Sequence, residues 1–436
     1  MINKSAMPDR KPAVETFELR ESQVRSYARN FPAIFTKAKG SWLTASNGKQ
    51  YLDFLMGCSV LNYGHNPEEL KQSLIDYVSD DGITHSLDMY STAKEHFLAD
   101  FHETILKPRN LDYVLQFPGP TGANAVEAAL KLARKVTGRR NVVAFTNGFH
   151  GVTLGALACT GNQHHRNGAG VELDGVTRMP YDGYVDDDFD SSAYLDQLLS
   201  DPSSGVDAPA AVIVETVQGE GGLNAASFDW LRKIAAVARK HGALFIVDDI
   251  QAGVGRCGSF FSFEPAGIRP DIVTMAKSLS GYGLPLALVL IDRKLDKWLP
   301  GEHNGTFRGN CHAFVTARAA LHHFWRDSEF EKTIQRNAAR LEDGLKDIMD
   351  RNSRVSMRMK GRGMMRGLEM PSGEFAGKVI RKAFEDGLII ETSGPSDEVI
   401  KCLAALNISN EDLARGLKIL GHAIASTSEA TDRAAA

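Results

Sequence analysis

Two residues carry the first chemical signal in the chain. Lys277 ends an apolar run, Asp271–Ala276 (DIVTMA), and leads into small residues, Ser278-Leu279-Ser280-Gly281. Desolvation lowers the pKa of an ammonium group. A lysine drawn into a pocket at a strand end therefore becomes an amine nucleophile suited to Schiff-base chemistry with a carbonyl. Asp248 ends another apolar run one strand earlier, Leu244–Asp249 (LFIVDD). Charged groups at the carboxyl end of a buried parallel strand face the crevice where open α/β sheets bind ligands. Taken singly, a flanking lysine or a pair of solvated acids has an ordinary reading. On neighbouring strands the two residues point to one shared site.

Two glycine-bounded segments add to that site. Gly119-Pro120-Thr121-Gly122-Ala123-Asn124 opens an amphipathic helix. Free backbone N–H groups and the positive end of the helix dipole suit a phosphate there, although a capped Gly/Pro turn needs no ligand. Asn147-Gly148-Phe149-His150-Gly151 holds an aromatic ring and an imidazole just after a strand, where a flat ring could stack or the aromatic could simply pack. The runs GVGRCG and GEGG do not occupy the strand-to-helix turn that a dinucleotide fingerprint requires.

Elements must hold these residues in place. Asn141–Thr146, Ala211–Thr216, Leu244–Asp249, Asp271–Ala276 and Leu286–Ile291 are continuous apolar runs, as expected of strands covered on both faces. Between them, Ala123–Thr137 and Phe228–Lys240 carry apolar residues at helical spacing. The alternation predicts an α/β domain with a mainly parallel sheet. The flanks differ. A turn at Ser46-Asn47-Gly48-Lys49 between TKAKGSWL and QYLDFL reads as a hairpin. Helices are expected over His312–Met349 and Asn410–His422, with a small polar tail fraying after them. The expected organisation is residues 1–65 as the N-terminal part of a small α+β domain, 66–315 as the large domain, and 316–436 as the rest of the small one.

The bulk properties exclude several function classes. Fifty Lys and Arg against 54 Asp and Glu give a net charge of −4, unlike the basic surface of a nucleic-acid binder. The five cysteines are scattered, with no Cys/His cluster, so neither a metal site nor a disulfide framework is expected, and a reducing cytoplasm is. No apolar run is long enough to span a membrane, and the start, MINKSAMPDRKP, lacks the apolar core of a secretory signal.

The motifs FHG, ETVQGEGG, DDIQAGVGR, AKS and GTFRGN, in this order, resemble the class III (ω-type) aminotransferases, enzymes of pyridoxal-phosphate (PLP) fold type I. The likeness runs from LNYGHNP to the final helix. Within the family, PGPTGANAVEAALKLARK, GITHSLDM and WLPGEHNGTFRGN look like the diaminobutyrate-forming branch, which serves ectoine, siderophore and peptide pathways.

The resemblance implies roles for particular residues. Lys277 binds the cofactor covalently and then moves the proton between substrate and cofactor carbons, while Asp248 keeps the pyridine nitrogen protonated. Phe149 and Ile250 cover the two ring faces, with His150 beside them and Gln251 near the phenolic oxygen. Thr121, Gly122 and Ala123 form the phosphate cup. Thr306 reaches a neighbouring subunit's phosphate, which implies a homodimer or a dimer-based assembly. Cys58, Tyr63, Glu220, Arg308 and Lys401 are candidate substrate contacts, each also open to a structural role.

The chain departs from the wider family at four places, with Leu403–Leu406 standing for a more Pro-rich segment, Cys257 for a Thr, and two changes at the site itself. Ala123 stands for a Ser or Thr, and Lys401 for the arginine that clamps a substrate carboxylate. A lysine is a point charge without the planar fork, so the clamp is expected to differ. The implied reaction moves the terminal amino group, with L-glutamate and L-aspartate 4-semialdehyde giving 2-oxoglutarate and L-2,4-diaminobutyrate. A different semialdehyde, a decarboxylase or mutase on the same scaffold, and a catalytically silent homologue are the alternatives.

Overall fold

The computed structural model describes residues 13–435. The segment Met1–Pro12, the basis of the signal-peptide reading, lies outside them.

Near the N-terminus, β1 (Phe35–Lys39), β2 (Trp42–Ala45) and β3 (Gln50–Asp53) form an antiparallel meander. The hairpin between β2 and β3 turns at Ser46–Lys49 as expected. The run TKAKGSWL is not one strand, however. Gly40 adopts a positive φ of 57° and splits it into β1 and β2.

The centre is a seven-stranded sheet of β4 (Tyr113–Gln116), β5 (Val142–Phe145), β6 (Val176–Met179), β7 (Ala211–Val214), β10 (Leu244–Asp248), β11 (Ile272–Met275) and β12 (Leu288–Asp292), with a short hairpin of β8 (Val217–Gln218) and β9 (Asn224–Ala225) after β7. The order is β4-β12-β11-β10-β7-β5-β6, and only β12 runs antiparallel to its neighbours. Every residue of β5, β7, β11 and β12 is buried, as expected of strands with helices on both faces. The helix Gly122–Thr137 lays Val126, Leu130 and Leu132 against Val142, Ile213, Ile246 and Ile272. Each such side chain contributes roughly 1.5–3 kcal/mol on burial. The strand β4 and the edge strand β6 were not visible as periodic runs in the sequence.

A third sheet joins β13 (Arg358–Arg362), β14 (Met365–Glu369), β16 (Glu391–Ser393) and β17 (Val399–Cys402), while β15 (Leu388–Ile389) pairs in parallel with β3. The two ends of the chain thus share a sheet. The helical stretch predicted over His312–Met349 is two helices, Cys311–Phe324 and Glu329–Arg351, and the final helix continues through the expected frayed tail, Asn410–Ala435. None of the described helices is long and apolar enough to cross a membrane.

Arg256 locks the ends to the sheet. It is fully buried, and its guanidinium donates to Ser59 Oγ (2.9 Å), Asn62 Oδ1 (2.5 Å), Met364 O (3.2 Å) and Ala404 O (2.7 Å). Its planar fork reaches both termini from the loop after β10.

Candidate active site

The carboxyl ends of β10 and β11 open into a cavity of about 380 Å³, within the range of small-molecule pockets. Lys277 follows β11 directly and begins a tight 3-10 turn. Its φ of 50° is a left-handed conformation that a lysine adopts at a cost of about 1–3 kcal/mol. The strain turns the side chain into the cavity, where Nζ has no hydrogen-bond or ion-pair partner among the described residues.

Asp248 ends β10 in the same cavity and is almost wholly buried. Its Oδ2 lies 2.7 Å from His150 Nδ1, and its Oδ1 accepts from Thr274 Oγ1 and from the Ile250 amide, both at 3.2 Å. Three partners on three segments therefore fix one carboxylate. Burial alone would lower the His150 pKa, but the hydrogen bond and charge of Asp248 outweigh it and leave the imidazole raised. The neighbouring Asp249 has a different task. It accepts from the Ser262 amide and hydroxyl, and burial pushes its pKa up to about 7.

Opposite these groups stands the N-terminus of the helix Gly122–Thr137. Thr121 caps it by accepting from the Asn124 amide (3.3 Å). The Gly122 and Ala123 amides are left without partners among the described residues. A Cβ on Gly122 would fall 2.9 Å from Ile250 Cδ1, so a larger residue there would have to displace the end of the Ile250 side chain. Phe149 lines the cavity, and its amide donates to Glu215 Oε2 at 2.9 Å. Glu215 was not singled out in the sequence. Burial raises its pKa, the His150 charge opposes this and the Asp248 charge reinforces it.

Gln251 also lines the cavity. Its Nε2 donates to Glu220 Oε1 (2.9 Å) and to Cys58 O (3.4 Å), while its buried Oε1 is left without a partner. An orphaned buried acceptor signals a missing donor. The donor set as a whole — an unpartnered amine, an anchored carboxylate, free helix N–H groups and Phe149 and Ile250 across the gap — fits PLP.

The other predicted contacts divide. Glu220 lines the cavity, and Cys58 lies behind it on a strained bend, with Sγ 2.8 Å from Tyr27 Oη and 3.6 Å from Glu391 Oε2. Lys401 is completely buried and does not reach the cavity. Glu220 Oε1 at 2.9 Å and Glu391 Oε1 at 3.1 Å hold its Nζ, so no free clamp is offered to a substrate carboxylate. Tyr63 belongs to the core instead, where it stacks on Phe324 and accepts from Trp325 Nε1 at 2.7 Å. Arg308 and Thr306 lie outside this chain's cavity. Arg308 Nη1 donates to Asn304 Oδ1, and the Thr306 carbonyl bonds His85 Nε2 at 2.6 Å. Glu391 and Tyr27 escaped sequence reasoning because neither stands in a motif.

Comparison with known proteins agrees with this geometry. The family model described as aminotransferase class-III matches residues 24–424. A diaminobutyrate–2-oxoglutarate transaminase of Vibrio cholerae is 56% identical over 407 residues, covering 93% of this chain and 98% of the relative. One from Halalkalibacterium halodurans is 54% identical over 411 residues, covering 94% and 96%. Among solved structures, a transaminase from the marine bacterium Virgibacillus superposes with a TM-score of 0.84 at 21% identity, over 96% of this chain and 99% of that one. The ornithine aminotransferase of Toxoplasma gondii superposes with a TM-score of 0.82 at 24% identity, over 95% of both chains. The chain belongs to the class III aminotransferases, a family of PLP-dependent enzymes of fold type I.

Proposed function

We propose that this aminotransferase transfers the terminal amino group between L-glutamate and L-aspartate 4-semialdehyde, giving 2-oxoglutarate and L-2,4-diaminobutyrate. The reaction class is supported by the convergence of Lys277, Asp248 and a helix N-terminus on one cavity. The substrates are supported by relatives more than 50% identical over nearly their whole length that are named for that reaction.

PLP, when bound, supplies a ring that withdraws electrons from the carbon carrying the amino group. Lys277 is the residue that would attach to it and whose amine would carry the proton between the substrate carbon and the cofactor carbon. Asp248, anchored by His150 and Thr274, holds a proton at the ring nitrogen. The Gly122 and Ala123 amides receive the phosphate, with Thr121 beside them. Phe149 and Ile250 would confine the ring, with Gln251 beside them on the cavity wall.

Residues 66–315 would form the large domain and the two flanking segments the small one. The active form would be a cytoplasmic homodimer whose Thr306 completes the neighbour's phosphate site. Exposed apolar side chains on two segments support this: Tyr90, Met89, Ile83 and Phe307 are all exposed, and His85 ties the two segments by its ring contact with Phe307 and its bond to Thr306. The substrate reading is tested by supplying the glutamate-loaded enzyme with a panel of semialdehydes. Aspartate 4-semialdehyde is expected to be consumed with the highest kcat/KM. Preference for a longer semialdehyde would overturn the choice of acceptor while leaving the reaction class intact.

A further inference from the structure

Behind the cavity, one buried lysine carries two carboxylates. Glu391 stands directly opposite Lys401 in the β16–β17 ladder, so the backbone fixes this pair. Glu220 comes from the loop between β8 and β9 and has its side chain on the cavity wall. Two acids against one base leave one negative charge in excess unless one acid holds a proton.

Several groups face this cluster, among them His165, on which the Glu220 charge acts. Cys58 Sγ approaches Glu391 Oε2 and Tyr27 Oη stands beyond it; Gln251 Nε2 donates to Glu220; and the Lys277 charge acts on both acids. The acids differ in their hold on a proton. Burial pushes the Glu391 pKa up, Lys401 opposes this and the Glu220 charge reinforces it. At Glu220 the charges of Lys401 and Lys277 and the Gln251 hydrogen bond outweigh burial, and its pKa falls to about 2.

A terminal-amino transaminase must accept two substrates that differ in charge beside the reacting carbon. An α-amino acid brings a carboxylate there, whereas the aminomethyl end of a diamino acid brings none. An unpaired buried carboxylate costs several kcal/mol, and Lys401 is already committed twice over. We propose that Glu391 is a specificity-determining residue: it takes up a proton when a substrate carboxylate enters beside Glu220 on the cavity wall and releases it when a substrate without one takes its place. The cluster then keeps one net negative charge in both halves of the cycle. This inference rests on the aminotransferase reading above and identifies the residue that lets one pocket serve both partners.

The test is calorimetric titration of the PLP-loaded protein with glutarate, an unreactive dicarboxylate, in two buffers of different ionisation enthalpy. The range to cover is about pH 6 to about pH 9. Binding is expected to take up close to one proton at the alkaline end, and Glu391→Gln is expected to abolish this uptake. Glu391→Asp, which keeps a carboxylate, retains it. In Glu391→Gln the glutamate KM loses its rise with pH and falls about tenfold at the alkaline end, a change of about 1.4 kcal/mol. Glutarate binding without proton uptake, uptake unaltered in Glu391→Gln, or no binding at any pH would overturn the proposal. The same preparations are given glutamate: an enzyme that glutamate never converts to the amine-loaded form overturns the aminotransferase reading itself, whatever the proton count.

Discussion

At the scale of single residues, one recurring choice is a buried charge with more than one partner. Lys401 is held by Glu220 and Glu391, so removing it leaves the buried Glu391 and the cavity-wall Glu220 without their cation. Lys401→Met is expected to destabilise the fold by about 3–5 kcal/mol, and adding Glu391→Gln should recover part of that loss. Unchanged denaturant midpoints would contradict the geometry. His150 gives a stability effect with a defined sign. Its folded-state pKa is raised above the ordinary 6.5, so its pairing with Asp248 contributes stability that is fully present below pH 6.5 and is lost as pH rises through the folded value. The stability gap between the protein and His150→Asn should therefore shrink with increasing pH in chemical denaturation. A gap that widens would mean the imidazole is neutral throughout. Lys277 and Asp248 were legible in the sequence because each ends a clean apolar strand. Glu391 was not, because its importance lies in a cross-strand pairing with Lys401 that no local pattern encodes.

At the scale of elements, the site depends on how closely the walls approach. The first turn of the helix Gly122–Thr137 passes within side-chain contact of Ile250. Gly122→Val would push these apart, and the PLP dissociation constant is expected to rise at least about tenfold, near 1.4 kcal/mol, with secondary structure unchanged by circular dichroism. The parallel strands and this helix were readable from periodicity because both are strongly apolar on the faces they bury. The strands β4 and β6 were not, because they mix buried with half-buried positions and carry polar residues such as Gln116, Thr177 and Arg178. The bend Met56–Ser59 escaped for another reason. Its positive φ values are imposed by tertiary bonds such as Arg256 to Ser59, which outweigh local preference. Arg256→Lys removes the fork that joins Ser59, Asn62, Met364 and Ala404. A loss of about 2–4 kcal/mol is expected, since hydrogen bonds to charged groups contribute roughly 1.5–3 kcal/mol each and one point charge can keep only some of them. Equal stability of Arg256→Lys would remove Arg256 as the tie between the chain ends.

At the scale of the whole molecule, the two chain ends share a sheet, and the cavity opens where the central sheet meets them. Tyr90 and Phe307 expose aromatic rings, and these belong to the surface proposed to meet a second subunit. Tyr90→Asp should shift sedimentation toward single chains and lower activity in proportion, with the loss reversed at high protein concentration. A fully active single-chain species would contradict the shared site. The order of motifs along the chain made the family legible from sequence alone. The state of the carboxylate subsite was legible only in three dimensions, where Lys401 proved to be already neutralised. Lys277 is expected to join PLP in the cavity it shares with Asp248. Borohydride reduction of the PLP-loaded protein, followed by peptide mass spectrometry, tests this most directly. One phosphopyridoxyl group per chain is expected on Lys277, and none after Lys277→Ala. A label on another lysine, or no label on a protein that still turns over, would contradict it.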